Sequence, residues 1–319
     1  MVRDQPRDHG GEPDRRLWDG ADWLDLSTGI NRVPWPVPAL PLPVWRDLPT
    51  RALTEAAEAA ALACWGGPAA LATPGAQWAI EALPRLAPPG RAAVLAPSYN
   101  EHAAQLRAAG WAVAEVPGPA GMAGADLAVL VNPNNPDGRT WSPAEVLDLA
   151  GRVGRLVVDE SFGDVAPSLS VAAQASDRVI VLKSLGKFWG LAGLRLGFVL
   201  AGPGVTEALR SRLGLWAVSG PALSAGAAAL ADRPWAAATR ARLVRDAARL
   251  DGLARGAGWG VLGGTGLFRL YATPDAAAAQ DHLARRGVWT RRFPWSETCL
   301  RLGLPGPEPE WARLTDALG

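Results

Sequence analysis

The sequence predicts an α/β protein, and three observations carry that expectation. Short apolar runs rich in β-branched residues, at 127–131, 156–158 and 179–182, have the composition of buried strands. Alanine-rich stretches of helical length stand between such runs. The runs stop at Asn, Pro, Gly, Ser or acidic residues, the punctuation of loops that open at strand ends.

Composition bounds the rest. At 319 residues and 33.4 kDa, with 49% hydrophobic and 20% charged residues, the chain is globular and long enough for one large domain and a smaller one. The expected division is an arm at 1–43 that contributes to the small domain and the active site, a large domain at 44–232 and a small C-terminal domain at 233–319. A net charge of +1 argues against a nucleic-acid surface. No apolar run reaches the roughly 18 residues of a spanning helix, and the first residues lack the apolar stretch of a signal peptide. No membrane or nucleic-acid partner is therefore expected, and the setting is read as cytoplasmic. Cys64 and Cys299 stand alone without metal-ligand spacing, so no metal is expected.

In chain order, residues up to Pro43 are rich in Pro, Gly and charge and read as an extended arm containing His9-Gly10-Gly11 and Asp25-Leu26-Ser27-Thr28-Gly29-Ile30-Asn31. Residues 53–63 read as helix. Thr73-Pro74-Gly75-Ala76-Gln77 then leads into a helical pattern at 78–86, and a Gly-containing turn opening a helix offers backbone N–H groups to a phosphate. A strand at 92–95 runs into Tyr99, one of two tyrosines; His102 is read as part of the following helix, 101–109, rather than as a base. The strand at 127–131 delivers Asn132-Pro133-Asn134-Asn135-Pro136-Asp137-Gly138, a rigid turn. Ser142 and Glu145 form a capping box, with Pro143 at the first helical position, for a helix to about 153.

The strand at 156–162 contains Asp159 and Glu160, and a carboxylate at a buried strand end is costly unless paired. Beyond the strand at 197–200, an alanine-rich helix ends near 232 and a long amphipathic stretch covers 234–255. Strands at 261–271, 288–293 and 299–304 alternate with helices at 274–286 and 307–318 as a small α+β domain. Arg291 and Arg292 are adjacent on a strand and must face opposite ways, and Arg301 lies on a strand between apolar neighbours.

The basic residues hold the sharpest signal. Of 32 Lys+Arg, only Lys183 and Lys187 are lysines. A guanidinium cannot lose its proton to attack a carbonyl, whereas an amine can, so a retained lysine suggests Schiff-base chemistry. Lys183 is read as an ordinary surface residue. Lys187 lies at or just past the end of a buried strand, where open α/β sheets place ligands, followed by the glycine-punctuated segment containing Arg195. No GxxxxGK[ST], GxSxG, HExxH or GxGxxG at a strand-to-helix turn competes with this reading.

The segment 184–197, SLGKFWGLAGLRLG, resembles the pyridoxal-phosphate site of the class I/II aminotransferase superfamily. The resemblance implies a PLP-dependent aminotransferase-like (fold type I) α/β fold, with a mostly parallel central sheet and a smaller α+β domain. It makes Lys187 the Schiff-base lysine and Ser184 and Arg195 ligands of the cofactor phosphate, with Gly75, Ala76 and Gln77 completing the cradle. It stacks Tyr99 on the cofactor ring, gives Asn135 the ring oxygen and pairs Asp159 with the ring nitrogen. Phe162 stands where many aminotransferases carry Tyr.

The HGG and DLSTGIN stretches, with WAVSGPAL at 216–223, are similar to the cobalamin-pathway threonine-phosphate decarboxylases, although Arg32 replaces that family's usual Pro. This likeness assigns His9, Gly29, Asn31, Asn135, Arg291 and Arg301 to the substrate, with Arg301 on its carboxylate and Arg291 on its phosphate. It implies decarboxylation of L-threonine O-3-phosphate to (R)-1-amino-2-propanol O-2-phosphate by a homodimer. A histidinol-phosphate-type aminotransferase and a non-catalytic pathway scaffold are the alternatives.

Overall fold

A computed structural model describes residues 10–14, 16–18, 20 and 22–319. The chain divides into two compact units, residues 34–240 and residues 1–33 together with 241–319.

The described elements begin with strand β1 (Leu24–Asp25), which belongs to the second of these units. The larger unit then opens on α1 (Leu42–Arg46) and α2 (Arg51–Trp65), the latter capped by Thr50, whose hydroxyl accepts from Leu53 N. β2 (Ala69–Thr73), α3 (Ala76–Ala82), β3 (Arg91–Leu95), α4 (Glu101–Ala108), β4 (Ala112–Val116), β5 (Leu127–Val131), α5 (Pro143–Gly151), β6 (Arg155–Asp159), β7 (Val179–Ser184), β8 (Gly197–Ala201), α6 (Pro203–Leu213) and α7 (Gly220–Ala231) follow.

The seven strands lie in the order β2-β8-β7-β6-β5-β3-β4. β8 runs antiparallel to both its neighbours, and the other pairs are parallel. β5 and β7 are buried almost throughout, which is why both read as unbroken apolar runs rather than as alternating patterns. All the parallel strands point their carboxyl ends the same way, so their following loops gather along one edge of the sheet.

Within α8 (Arg233–Gly256) the chain leaves the larger unit. The other unit holds β9 (Gly260–Gly264), β10 (Phe268–Ala272), α9 (Ala276–Ala284), β11 (Val288–Trp289), β12 (Arg291–Phe293), β13 (Ser296–Gly303) and α10 (Glu308–Leu318). Its sheet has the antiparallel order β12-β13-β10-β9, and β1 pairs in parallel with β11.

Several sequence expectations change. The single strand expected at 261–271 is the hairpin β9–β10, broken at Gly263-Gly264-Thr265-Gly266, where Thr265 N donates to Phe268 O. The helix expected at 78–86 is α3 followed by a 3-10 turn at Leu83–Arg85, because Pro84 lacks the N–H that would continue the α-helical ladder. β4 is not legible in the sequence: it is a half-exposed edge strand, and Ala112, Ala114 and Glu115 give it little apolar alternation. The capping box at Ser142 and Glu145 is formed in both directions.

Candidate active site

At the carboxyl end of β6, Asp159 is buried and its Oδ2 lies 2.8 Å from His102 Nε2. Its Oδ1 accepts from Ser161 N at 2.9 Å. Burial alone would raise this carboxyl; the contacts with His102 and Ser161 overcome burial and hold it below its ordinary value. His102, read from the sequence as an ordinary helix residue, sits in the first turn of α4 and faces Asp159 from 57 positions away. The pairing is not visible locally, because it depends on β6 lying two strands from β3 in the sheet.

Tyr99 is half-buried, and its ring meets His102 edge-on at a centroid distance of 6.0 Å. Its hydroxyl donates to Gln77 Oε1 at 3.2 Å, and Gln77 Nε2 donates to Glu81 and Glu101. The side chain of Gln77 thus braces Tyr99. In the loop after β5, Asn134 is the buried scaffold: it accepts from Ser98 Oγ and donates to Pro97 O and Asp137 Oδ1. Asn135, its neighbour, is half-buried.

Gly75 precedes α3 with φ +80°, and a Cβ there would stand 3.1 Å from Arg195 Nη2. Gly75 therefore serves both the left-handed turn and the close approach of Arg195. α3 starts without a side-chain cap, and the first N–H groups of a helix have no acceptor within it. Ser184 closes β7, with its Oγ accepting from Gly186 N at 3.1 Å. Lys187 follows three residues later, half-buried, its Nζ 5.5 Å from the centre of the Phe162 ring. This donor set of a hydroxyl, a guanidinium and helix N–H groups, with a buried carboxylate and an amine, fits pyridoxal phosphate.

Lys183 requires a correction. It is not a surface residue but is buried, 2.6 Å from Glu160 Oε2 and 3.7 Å from Asp164 Oδ1. The general rule that lysines lie outside fails here because this one has acid partners contributed by residues distant in sequence.

In the smaller unit, Arg301 is buried and donates from Nη2 to Ser27 O at 2.6 Å. Arg291 is half-buried, with its guanidinium 5.7 Å from the Phe293 ring centre. Arg292 is exposed and bonds Gln280 Oε1 at 2.6 Å, on the side of α9. A cleft of about 1120 Å³ is lined by Gly10, Gln280, Thr290, Arg291, Arg292 and Phe293 among others. A Cβ on Gly10 (φ +62°) would lie 3.0 Å from Ser27 Oγ and 3.3 Å from Arg291 Nη1, so the glycine lets this segment close on both. Ser27 Oγ also accepts from Gly11 N and donates to Asp25 Oδ1.

Gly29 is buried, and Asn31 is buried with its Oδ1 accepting from Arg242 Nη2 at 2.6 Å and from Val33 N at 3.1 Å. Arg32, at the position of the expected Pro, forms a two-point ion pair with Glu310 at 2.7 and 2.6 Å. His9 lies outside the described residues.

The sheet order, together with the acid, amide, serine and lysine spaced along the carboxyl ends of its strands, defines an aminotransferase-like α/β protein. The chain belongs to the aminotransferase class I and II family, which it matches over residues 49–318. It is 46% identical over 308 residues to a threonine-phosphate decarboxylase of Pseudomonas aeruginosa, covering 93% of this chain and 92% of that one. A threonine-phosphate decarboxylase of Sinorhizobium is 45% identical over 320 residues, covering 97% and 93%. Among solved structures, histidinol-phosphate aminotransferase from Sinorhizobium meliloti in complex with pyridoxal-5'-phosphate superposes with a TM-score of 0.80 at 19% identity, covering 95% of this chain and 92% of that one. At that identity the likeness shows the fold.

Proposed function

We infer that this protein is a pyridoxal-phosphate-dependent carboxy-lyase that converts L-threonine O-3-phosphate to (R)-1-amino-2-propanol O-2-phosphate in cobalamin biosynthesis. The observation that carries this reading is the 46% identity to a threonine-phosphate decarboxylase, sustained across 93% of the chain.

When bound, the cofactor supplies an electron sink for the pair left at Cα as CO2 departs. The chain's residues do the rest. Lys187 would hold the cofactor through its amine, and its Nζ would be the proton donor to Cα. Asp159, kept ionised by His102 and Ser161, offers its negative charge to the ring nitrogen. Tyr99, braced by Gln77, would cover the ring, and Asn135 would donate to the ring oxygen. Gly75, Ala76, Gln77, Ser184 and Arg195 hold the cofactor phosphate. Arg301 binds the substrate carboxylate and Arg291 its phosphate, while His9, Gly29 and Asn31 complete substrate recognition.

A cytoplasmic homodimer is the proposed form. Among the described residues, no helix is long and apolar enough to cross a membrane. Leu42, Trp45, Leu48, Leu215 and Trp216 are exposed in the larger unit. α1 packs against the start of α7, where a Cβ on Gly220 would meet Val44 O, and residues 215–216 lead into that same helix end. An apolar surface of this kind suits a second copy.

The test is CO2 release from threonine phosphate by the purified, cofactor-loaded protein, with borohydride reduction expected to label the peptide containing Lys187. Transamination of a phosphorylated amino acid without CO2 release supports the aminotransferase reading instead.

A further inference from the structure

The second lysine lies outside the chemistry just described and is still fully enclosed. Lys183 is 1% exposed, and its ammonium sits between Glu160 and Asp164. Burial would push this group down, but the two carboxylates overcome burial and hold it above its ordinary value. Both acids have further partners. Glu160 accepts from the Ser170 hydroxyl and from Val171 N at 2.8 Å. Asp164 accepts the indole N–H of Trp65 at 2.7 Å and that of Trp189 at 2.9 Å. Cys64 also acts on Lys183, and Arg233 and Arg240 in turn act on Cys64. Burial, helped by Asp164, pushes the Cys64 thiol up to about 11, and Arg240 Nε donates to the Asp164 carbonyl.

Strand geometry places this network directly behind the candidate site. Asp159 is the last residue of β6 and Glu160 follows it directly, and Lys183 and Ser184 are consecutive at the end of β7. Consecutive strand residues face opposite sides of a sheet. Asp159 is in register with Leu182, so Ser184, two residues on, shares its face, while Glu160 and Lys183 share the other. Glu160 N still donates to Leu182 O at 3.0 Å, which carries the strand pairing up to the acid. The Lys183–Glu160 contact therefore ties two strand ends together from behind. Through Asp164 the network continues to Trp189, two residues past Lys187.

We propose that Lys183 is a positioning residue that locks the carboxyl ends of β6 and β7, and through Trp189 the loop after β7, so that Asp159, Ser184 and Lys187 are presented to the cofactor. This rests on the pyridoxal-phosphate reading above. A compact ammonium suits the position: it lies 3.4 Å from where a Cβ on Gly163 would be and 5.4 Å from the Trp65 ring centre.

The test compares native protein, Lys183→Met and the double variant Lys183→Met/Glu160→Gln, in which neither member of the pair keeps an unmatched charge. Cofactor Kd, the pH midpoint of the bound cofactor's visible band, and thermal unfolding are measured on each. Loss of positioning weakens cofactor Kd in both variants, on the order of tenfold to a hundredfold. In Lys183→Met alone, the stranded carboxylates also favour protonated forms nearby and move the midpoint to higher pH; in the double variant it returns toward the native value. Should Lys183→Met not fold, the Kd of the double variant decides. Native cofactor binding with unchanged Kd in the variants and only a lower unfolding temperature makes Lys183 a structural residue and overturns its positioning role. A native protein that binds no cofactor at all overturns the functional reading and this role together.

Discussion

Arg291 and Arg301 are direct cross-strand partners in the β12–β13 pair, and their guanidinium carbons lie 5.7 and 5.9 Å from the centre of the same Phe293 ring. Residues opposed across an antiparallel pair share a face of the sheet, and like charges so placed repel. Under the proposed function, the substrate's carboxylate and phosphate would each bring an anionic group to this pair. Arg292 instead spends its Nε on Gln280, on the side of α9.

Arg291→Ala is therefore expected to leave the cofactor's visible spectrum intact and to weaken threonine phosphate by about 2–5 kcal/mol, the usual loss at a desolvated charge-assisted contact. Arg292→Ala is expected to weaken threonine phosphate by no more than about 0.5 kcal/mol. Steady-state kinetics with phosphorylated and unphosphorylated threonine checks both, and a reversed ranking would mean the strand's faces are misassigned.

His102→Phe removes the partner of Asp159 Oδ2 while keeping an aromatic ring beside Tyr99. The expected cost is about 1–3 kcal/mol of folding stability, as for a buried acceptor left unsatisfied, together with weaker cofactor binding. The sign with pH follows from the lowered carboxyl of Asp159. Its contribution is present above the ordinary aspartate value of 3.8 and is lost as pH falls through the folded value. Denaturant titrations should show the difference between native and variant at pH 7 and its progressive loss in acid.

The Arg32–Glu310 pair joins the first segment to α10 within the smaller unit. Burial would raise Glu310, but Arg32 and the Gly306 N–H hold it below its ordinary 4.5. Because both side chains are partly solvated, Arg32→Ala is expected to cost only about 1 kcal/mol. The loss is present at pH 7 and shrinks as the pH falls below the ordinary glutamate value, where Glu310 becomes protonated. A difference between native and variant that is as large in acid as at neutrality would contradict the pairing.

Trp45 is 64% exposed on α1, with Leu42 one helical turn before it and also exposed. If this surface closes a dimer, Trp45→Glu places an unpaired charge in an apolar contact and shifts the protein to monomer in sedimentation, with little change in monomer folding. A native protein that sediments as a monomer at working concentration would overturn the dimer, and a variant that remains dimeric would move the interface elsewhere.

The sequence by itself determined the class of fold and pointed to the parts of the candidate site written in short contiguous segments. The run from Ser184 to Gly197, the turn after Thr73 and the loop after Val131 each carry their residues at fixed local spacing, because a strand end and the loop leaving it are set by neighbouring residues. The sequence also showed that Arg291 and Arg292 face opposite ways. Only the register of β12 against β13 decided which of them stands beside Arg301. Only the order of strands in the large sheet brought His102 to Asp159, and only the packing of the 163–172 segment behind β6 and β7 turned Lys183 from an expected surface residue into the centre of a buried ion cluster. The physical reason is common to all three. The cost of burying a charge, and the partner that offsets it, depend on groups far apart in the chain, so composition and spacing report the charge and tertiary structure alone supplies its partner.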